Sequence, residues 1–160
     1  MAEQQEIVDT FLRKLEDSPY VMIGLDDTPD HSQPMYARFD KDDGDTLWFF
    51  TQTDNRLSMG GPAMAQFVAK GHDFFACLHG TLTPDNDRAT IDRFWNSYVE
   101  AWYDERGKDD PKLLLMRYTV ESAELWETDI SLTGRVKMLL GGTIRADESS
   151  SHARVDSLHA

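Results

Sequence analysis

The chain has 160 residues, with 29 acidic and 16 basic side chains and a formal net charge of −13. This length fits one domain that can bury a core without metals or disulfides. The negative charge opposes both the phosphates of nucleic acids and anionic membrane surfaces. We therefore expect neither nucleic acid nor a membrane as a partner.

The start of the chain and its apolar runs bear on its compartment. Residues 1–6 are acidic and polar, whereas a secretory signal is basic and then apolar. No apolar run approaches the length needed to cross a bilayer. Cys77 is the only cysteine, so the chain cannot form an internal disulfide. The sequence predicts a soluble, cytoplasmic protein whose one thiol is buried and inert, with a redox role for Cys77 as the alternative.

The first half of the chain predicts one helix and three strands. Apolar residues at spacings of three and four indicate an amphipathic helix over residues 3–16, and a short β-branched strand follows at residues 20–25. Two aromatic runs, at residues 32–39 and 46–51, then flank an acidic segment with an Asp-Gly step. This is the pattern of a β-hairpin with a longer loop, and the three strands are expected to form an antiparallel meander.

The predicted hairpin ends in hydroxyl groups and a cation, at Thr51, Thr53 and Arg56. Hydroxyls, backbone N–H groups and a guanidinium are the donors that a phosphate needs, so this end can hold an anion. An ordinary core hairpin followed by a polar turn is the alternative. The residues of the hairpin, taken by themselves, favour that alternative.

A second hairpin is predicted from strands at residues 63–69 and 74–83, in which Gly80 indicates a bulge or the close approach of another group. Cap-forming residues at 83–87 then predict a helix whose apolar side chains share one broad face. These side chains are Ile91, Phe94, Trp95, Tyr98, Val99 and Trp102. Such a stripe usually means core or subunit interface, and an aromatic wall for a cofactor is the alternative.

The last part of the chain begins with a long strand over residues 112–128 that has a polar break in its middle. A helical turn is predicted over residues 135–140, ended by two glycines. The serine-rich tail, residues 146–160, is expected to dock on a neighbour as a short helix through Val155 and Leu158. Five or six antiparallel strands with helices at the side favour a small barrel, because closure removes the unpaired edges of a sheet.

Several catalytic signatures are missing from the sequence. It contains no Gly-x-Ser-x-Gly nucleophile elbow, no Gly-rich phosphate loop and no Gly-x-Gly-x-x-Gly fingerprint. The five histidines show no metal-ligand spacing, so no metal site is predicted. Paired aspartates lie beside Gly or Pro, where they serve turn geometry. No catalytic residue follows from these observations.

Residues 5–142 carry short motifs in a characteristic order. After the leading helix and a strand, they are Gln33-Pro34-Met35, Leu47-Trp48-Phe49-Phe50-Thr51, Arg56, Gly80, Trp95, Ala101-Trp102-Tyr103, Asp110-Pro111, Leu114-Leu115 and Ala123-Glu124-Leu125-Trp126. In this order the chain resembles the pyridoxamine 5′-phosphate oxidase-like superfamily. Within it, the chain is most similar to the bacterial general stress protein 26-like branch of flavin-binding split barrels.

The resemblance implies a mainly β fold. The expected architecture is a six-stranded antiparallel split β-barrel with a leading helix and a helix between the last two strands. Residues 1–142 would form the flavin-binding split-barrel domain. Residues 143–160 would form a C-terminal extension that docks on the body of the protein or on the partner subunit.

Such proteins are typically homodimers that hold FMN in a groove between two barrels, so the resemblance implies a homodimer with FMN, or FAD as the alternative. The implied cofactor residues form three groups, and tryptophans of the second subunit close the pocket. They are Gln33, Pro34 and Met35 at the ring, Phe50 and Thr51 along the ring and ribityl chain, Asn55, Arg56 and Leu57 at the phosphate, and Trp126 with Trp95 or Trp102 from the partner.

Two departures from the superfamily pattern bear on cofactor binding. Many members carry Arg before the Pro-Met pair, where this chain has Gln33, so one donor loses its charge. Residues 60–62, Gly-Gly-Pro, interrupt the short helix that normally supports the phosphate loop. A charged hydrogen bond contributes about 1.5–3 kcal/mol, so its loss lowers flavin affinity by about tenfold or more. We therefore expect a cofactor that is weakly held or absent.

The implied function is that of an FMN-binding general stress protein with oxidoreductase-like flavin redox activity. A non-catalytic flavin or small-ligand binding protein and a cofactor-free dimeric scaffold are the alternatives. Oxidation of pyridoxamine phosphate itself is not expected, because the basic C-terminal substrate motif of those enzymes is missing. Between Trp126 and Gly141 the only cations are Arg135 and Lys137.

Overall fold

The computed structural model describes residues 2–128, 139–141 and 150–158. None of the helices in these ranges is long and apolar enough to cross a membrane. The helices are α1 (Ala2–Asp17), α2 (Arg88–Phe94) and α3 (Ser97–Glu100), with 3₁₀ turns at Lys41–Asp43 and Gly107–Asp109. The strands are β1 (Tyr20–Leu25), β2 (Gln33–Tyr36), β3 (Thr46–Gln52), β4 (Gly61–Val68), β5 (Phe74–Pro84), β6 (Leu113–Thr128) and β7 (Ser150–Val155).

These strands form one antiparallel sheet in the order β2-β1-β4-β5-β6-β3. The long strand β6 pairs with β5 along one edge and shares its other edge between β3 and β7. Within the described ranges, the two ends of the sheet meet at one bridge, in which Arg38 and Trp48 exchange backbone hydrogen bonds of 2.8 and 2.7 Å. The sheet is not closed, and the predicted split barrel with flanking helices is confirmed, with β7 as a seventh strand.

The predicted hairpin of residues 32–39 and 46–51, and with it the meander, is wrong in its pairing. Strand β2 pairs with β1, and β3 pairs with β6, so the two runs meet only at the Arg38–Trp48 bridge. Pro34 has no N–H to donate and therefore suits an edge strand. The side chains of β3 alternate between the barrel core and a second apolar cluster beneath α2. The backbone N–H and C=O groups of a strand buried on both faces need hydrogen-bond partners, and β6 pairs with β3 along its whole length.

The barrel core is built from inward-facing strand residues and from α1, which confirms the predicted leading helix. Phe11 of α1 is fully buried and packs edge to face on Phe67 of β4, with ring centroids 5.7 Å apart. Tyr118 of β6 is also fully buried, and its hydroxyl can donate to the carbonyl oxygens of Ala63 and Leu78, at 2.9 and 3.1 Å. Burial raises the pKa of this phenol, so the neutral donor form is retained.

Gly80 marks the close approach that the sequence predicts. A Cβ at this position would lie 2.2 Å from the carbonyl oxygen of Thr119. The register between β5 and β6 shifts here, since His79 pairs with Ser122 whereas Gly80 pairs with Val120. The polar break in the middle of the predicted long strand is therefore a β-bulge inside a continuous β6, which carries one extra residue.

The single long helix predicted after residue 83 is wrong, because it is divided into α2 and α3. Trp95 and Asn96 have extended backbone conformations, and the Asn96 side chain accepts a hydrogen bond from the backbone N–H of Val99 at 3.0 Å. An asparagine that caps a new helix competes with continuation of the old one. As a result Trp95, Tyr98 and Trp102 do not share one face.

The short helix predicted for the tail is also wrong, because residues 150–155 form β7. The first half of β6 is paired with β3, which leaves the second half with an open edge, and β7 satisfies its backbone groups. Val155 and Leu158 are buried, as expected for residues that dock the tail, and the Ser157 hydroxyl donates to the Asp45 carboxylate at 2.9 Å. The helical turn predicted over residues 135–140 lies mostly outside the described residues.

Gly80→Ala should destabilise the fold, because the added Cβ overlaps the backbone of Thr119 and no rotamer change relieves the overlap. Overpacking of this kind lowers the free energy of unfolding by about 1–3 kcal/mol. Gly71→Ala is the matched control, since a Cβ there lies 3.4 Å or more from its neighbours. Urea unfolding measures both variants, and equal stabilities would contradict the packing assigned to Gly80.

Candidate functional site

The candidate site lies where β2 and β3 run side by side without forming a ladder. We call this gap the seam. One end of the seam is fixed by the Arg38–Trp48 backbone bridge. At the other end, Gln33 at the start of β2 contacts the loop that follows β3. The seam is therefore a short slot between two strands, and it includes most of the residues that the sequence assigns to a cofactor.

Three side chains close the far end of the seam, and we call them the amide–guanidinium cluster: Gln33, Asn55 and Arg56. The Nε2 of Gln33 donates to the Oδ1 of Asn55 at 2.6 Å, and the Nε of Arg56 donates to the Oε1 of Gln33 at 3.2 Å. The same Asn55 oxygen accepts the backbone N–H of Leu57 at 2.8 Å. The structure thus brings together the predicted ring residue Gln33 and the predicted phosphate residues.

The loop of residues 53–60 is a run of turns, in agreement with the predicted interruption of a helix. The backbone N–H groups of Asn55, Ser58 and Gly60 each donate to the carbonyl three residues earlier, at 2.9–3.0 Å. Gly60 and Gly61 have φ angles of +69° and +118°, which L residues rarely adopt, and they lead directly into β4. Glycine is therefore needed where the loop becomes a strand.

The cluster retains donors for a ligand. Among the residues that the structure describes, nothing accepts a hydrogen bond from the terminal nitrogens of Arg56, from its backbone N–H or from the Nδ2 of Asn55. Arg56 is exposed, and a guanidinium stays charged at every physiological pH. Its two terminal nitrogens form a fork that matches a phosphate or carboxylate. Leu57 is buried in the core, so it anchors the loop.

Aromatic side chains line the outer side of the seam. Phe50 of β3 packs edge to face on Trp95, with centroids 5.9 Å apart, and Trp95 packs on Tyr103 at 5.7 Å. The Tyr103 hydroxyl donates to the carbonyl oxygen of Thr51 at 2.5 Å. Burial and, to a lesser degree, the carboxylate of Asp110 raise the pKa of Tyr103. The wall beside Phe50 is therefore tied to the backbone of β3.

A tyrosine cluster on the β2 side was not predicted from the sequence. Tyr98 of α3 packs on Tyr36 of β2 with centroids 5.1 Å apart, and its hydroxyl lies 3.4 Å from that of Tyr20. Because Trp95 contacts β3 and Tyr98 contacts β2, residues 95–98 straddle the seam. The signal in the sequence was the capping residue Asn96, which divides the helix and turns these two rings apart.

Strand alternation divides the predicted ring residues between two faces. Gln33 and Met35 lie opposite the inward-facing Ile23 and Val21 of β1, and Met35 packs against the core. Pro34 lies on the opposite face and is exposed. The three residues therefore do not form one surface, and only Pro34 faces the outer side of the seam, as Phe50 does.

The three predicted tryptophans occupy different places. Trp95 packs against Phe50 in the aromatic wall. Trp102 is 67% exposed, and its backbone carbonyl oxygen accepts a hydrogen bond from the Gln52 side chain at 3.3 Å. Trp126 is on the outer face of β6, stacked on His152 with centroids 5.4 Å apart. Trp126 lies in the half of β6 that pairs with β7, whereas β3 pairs with residues 113–119 of β6, so within one chain Trp126 lies away from the seam.

Two open cavities, of about 540 and 420 Å³, flank the Arg38–Trp48 bridge. Their lining includes Tyr36, Arg38 and Trp48 but no member of the amide–guanidinium cluster. Arg56 is exposed, and Gln33 and Asn55 are half-buried, so the cluster is accessible from solvent in this chain. Within residues 2–128, 139–141 and 150–158, no group of three or more His, Cys, Asp or Glu side chains could hold a metal ion. Cys77 is half-buried and not fully buried as predicted, and this partial burial, followed by the nearby Glu124 carboxylate, raises the pKa of its thiol.

A family profile described as pyridoxamine 5′-phosphate oxidase like matches residues 6–147. Among curated protein sequences, none matches the chain.

Several solved structures are similar to the chain. A protein assigned to the general stress family from Xanthomonas campestris pv. campestris is 44% identical, with a TM-score of 0.74, over 82% of this chain and 94% of the other. The general stress FMN/FAD binding protein of Xanthomonas citri is 42% identical, with a TM-score of 0.72, over 79% and 92%. A protein assigned as general stress protein 26 from Jannaschia sp. CCS1 is 26% identical, with a TM-score of 0.78, over 98% and 99%.

Tyr103→Phe should lower the free energy of unfolding by about 1 kcal/mol at neutral pH, because the Thr51 carbonyl loses a donor. The pKa of Tyr103 is raised in the folded protein, whereas the unfolded chain ionises near pH 10. The stabilisation is therefore complete below about pH 10 and is lost as the pH rises further. Chemical unfolding at several pH values tests this, and a difference that stays constant up to about pH 11 would contradict the assigned burial.

Proposed function

Because the chain belongs to the pyridoxamine 5′-phosphate oxidase like family, we propose that it is a general stress protein that binds FMN along the seam and carries out flavin redox chemistry. The observation that carries the proposal is the amide–guanidinium cluster, which offers a charged anchor at one end of the seam. The description of the Xanthomonas citri relative as an FMN/FAD binding protein supports the choice of ligand.

The residues present fit the phosphate of FMN. Arg56 supplies two terminal N–H donors and a full positive charge, and its backbone N–H is also available. The Nδ2 of Asn55 is a further donor, while its Oδ1 holds the loop in place. This donor set matches a phosphate, whose oxygens only accept hydrogen bonds from such groups. Leu57 contributes through its buried side chain, which fixes the loop beneath the anion.

The ring of the flavin would lie on the outer side of the seam. There Phe50 and Trp95 offer an apolar wall, and Pro34 lies exposed on the facing strand. The hydrogen bond from Tyr103 to the Thr51 carbonyl keeps this wall in a fixed position relative to β3. When bound, the flavin supplies the electron-transfer chemistry, and the protein binds it, orients it and keeps water from one side of the ring.

We also propose that two copies of the chain form a homodimer, through the outer face of the sheet. Six large apolar side chains on neighbouring strands of this face are each 37–51% exposed. They are Tyr20, Met22, Met64, Val68, Phe75 and Trp126. The register aligns Val68 with Phe75 and Phe75 with Trp126, so they form one continuous row. An apolar patch of this kind on a soluble protein marks an interaction surface.

A second copy of the chain would cover the exposed side of a flavin bound at the candidate site. Arg56 and Pro34 are exposed in a single chain, so a bound flavin would remain exposed on one side. Trp126 lies in the half of β6 that β3 does not pair with, away from the seam of its own chain, yet it lies in the exposed apolar row. In a dimer formed through this face, the tryptophan of the partner can cover the flavin.

Non-catalytic flavin binding is the second candidate function. It is favoured by the chemistry of the cluster, which consists of two neutral amides and a guanidinium and provides no acid or base near pH 7. Oxidation of NAD(P)H by the flavin-loaded protein separates the two functions. Steady turnover supports redox activity, whereas its absence supports storage or sensing.

Arg56→Ala should weaken FMN binding by about tenfold or more, because a charged hydrogen bond contributes about 1.5–3 kcal/mol. Riboflavin, which has no phosphate, should bind the variant and the parent equally. Quenching of flavin fluorescence measures both affinities. Arg13→Ala is the matched control, since Arg13 is exposed on α1. Unchanged FMN affinity would contradict the assigned phosphate site, and parent protein that binds no flavin would favour a cofactor-free scaffold.

Phe75→Glu should convert the dimer to a monomer, because a charge in the middle of the apolar row is costly to bury between two subunits. Analytical ultracentrifugation should give twice the chain mass of 18.3 kDa for the parent and the single chain mass for the variant. Met59→Glu is the matched control, because Met59 is 73% exposed in the loop before β4 and outside the row. A monomeric parent would overturn the proposed dimer.

A further inference from the structure

Resting on the proposed function, we infer that Gln33 is a positioning residue: its carboxamide aims the terminal nitrogens of Arg56 at the ligand's phosphate and thereby sets the preference for a phosphorylated over an unphosphorylated flavin. The resemblance to the superfamily implies that Gln33 lies at the ring and that, compared with the usual arginine, it is a donor without charge. In the structure its side chain instead bridges Asn55 and Arg56 at the phosphate end. This gives Gln33 a different role, which can be tested.

The orientation of the Gln33 carboxamide is determined by its two neighbours. The Oδ1 of Asn55 acts as an acceptor, because it also accepts the backbone N–H of Leu57. The Nε of Arg56 can only donate. The nitrogen of Gln33 must therefore face Asn55 and its oxygen must face Arg56, as observed at 2.6 and 3.2 Å. If the amide were flipped, the oxygen of Gln33 would face the oxygen of Asn55, and its nitrogen would face the Nε of Arg56. Neither contact could be a hydrogen bond, so the observed orientation is strongly preferred.

This arrangement restrains the guanidinium of Arg56 at its Nε and leaves its two terminal nitrogens available. An exposed arginine otherwise samples many rotamers, and a ligand that immobilises it must oppose that entropy. The bond to Gln33 holds the Nε edge, while the two terminal nitrogens, which have no acceptor among the described residues, stay free. The Oδ1 of Asn55 accepts hydrogen bonds from the Gln33 side chain and from the backbone N–H of Leu57. Asn55 therefore links the residue that holds the guanidinium to the loop that carries Arg56.

The neutral charge of Gln33 matters as much as its geometry. An amide oxygen accepts the Arg56 N–H without cancelling the positive charge of the guanidinium, whereas a carboxylate in the same place would form an ion pair with it. The full charge therefore remains available to a dianionic phosphate monoester. Glutamine thus orients Arg56 without competing with the ligand, which distinguishes it from the nearly isosteric glutamate.

The test compares the affinities of FMN and riboflavin for the parent, Gln33→Leu, Arg56→Ala and the double variant, by quenching of flavin fluorescence. Gln33→Leu should lose about three- to tenfold in FMN affinity and keep its riboflavin affinity, because only the phosphate contact depends on Arg56. The double variant should bind FMN no more weakly than Arg56→Ala, since the two residues act as one unit. Gln33→Glu should bind FMN more weakly than Gln33→Leu.

Equal losses of FMN and riboflavin in Gln33→Leu would overturn the inference, because they would place Gln33 at the ring. Independent, additive losses in the double variant would overturn it as well. Gln5→Leu is the matched control, since Gln5 is half-buried on α1 and its side chain bonds only Asp9 among the described residues. Its affinities for both flavins should equal those of the parent.

A readout without flavin separates this inference from the proposed function. In ¹H–¹⁵N NMR spectra, the Nε–H of Arg56 should exchange slowly with water in the parent and rapidly in Gln33→Leu, with the backbone spectrum otherwise unchanged. An Arg56 Nε–H that exchanges equally fast in both proteins would overturn the positioning role. If the parent binds neither flavin, the proposed function fails, and this exchange measurement still decides whether Gln33 orients Arg56.

Discussion

Two backbone hydrogen bonds between Arg38 and Trp48 hold together the ends of an otherwise open sheet. Without them, β2 would be an edge strand of four residues paired with β1 on one side only. Beyond this bridge the strands do not continue as a ladder, because Pro34 donates no hydrogen bond and Gln33 bonds to the loop after β3 instead. The seam exists because β2 and β3 are joined by the Arg38–Trp48 bridge alone and do not pair along the rest of their length.

The alternation of side chains along the two strands gives the seam two different sides. Gln33 on the inner side of β2 reaches Asn55 and Arg56, which creates a polar and charged end. Phe50 on the outer side of β3 reaches Trp95, which creates an apolar wall. A ligand with a flat apolar ring at one end and a phosphate at the other needs both surfaces, and FMN is such a ligand.

Sequence patterns predicted the elements that depend on local periodicity, namely α1, β1 and the β4–β5 hairpin. The glycine at position 80, inside a predicted strand, also indicated the close approach of another group, which is the backbone of Thr119. Sequence patterns could not predict the pairing of β2 and β3, since burial of β3 on both faces is decided by distant residues. They also could not predict that the tail forms β7, because this strand pairs with the part of the β6 edge that β3 leaves open. The resemblance named Gln33 and Asn55, but their contact joins residues 22 apart and required the fold.

The claim on which the other conclusions rest is that the phosphate of a flavin lies on Arg56 at the end of the seam. A crystal structure of the protein grown with FMN measures this directly. The expected result is a phosphate within hydrogen-bond distance of the terminal nitrogens of Arg56, with Gln33 still bonded to its Nε and the ring beside Phe50. A flavin bound elsewhere on the chain, or a phosphate held while Arg56 faces solvent, would contradict the claim.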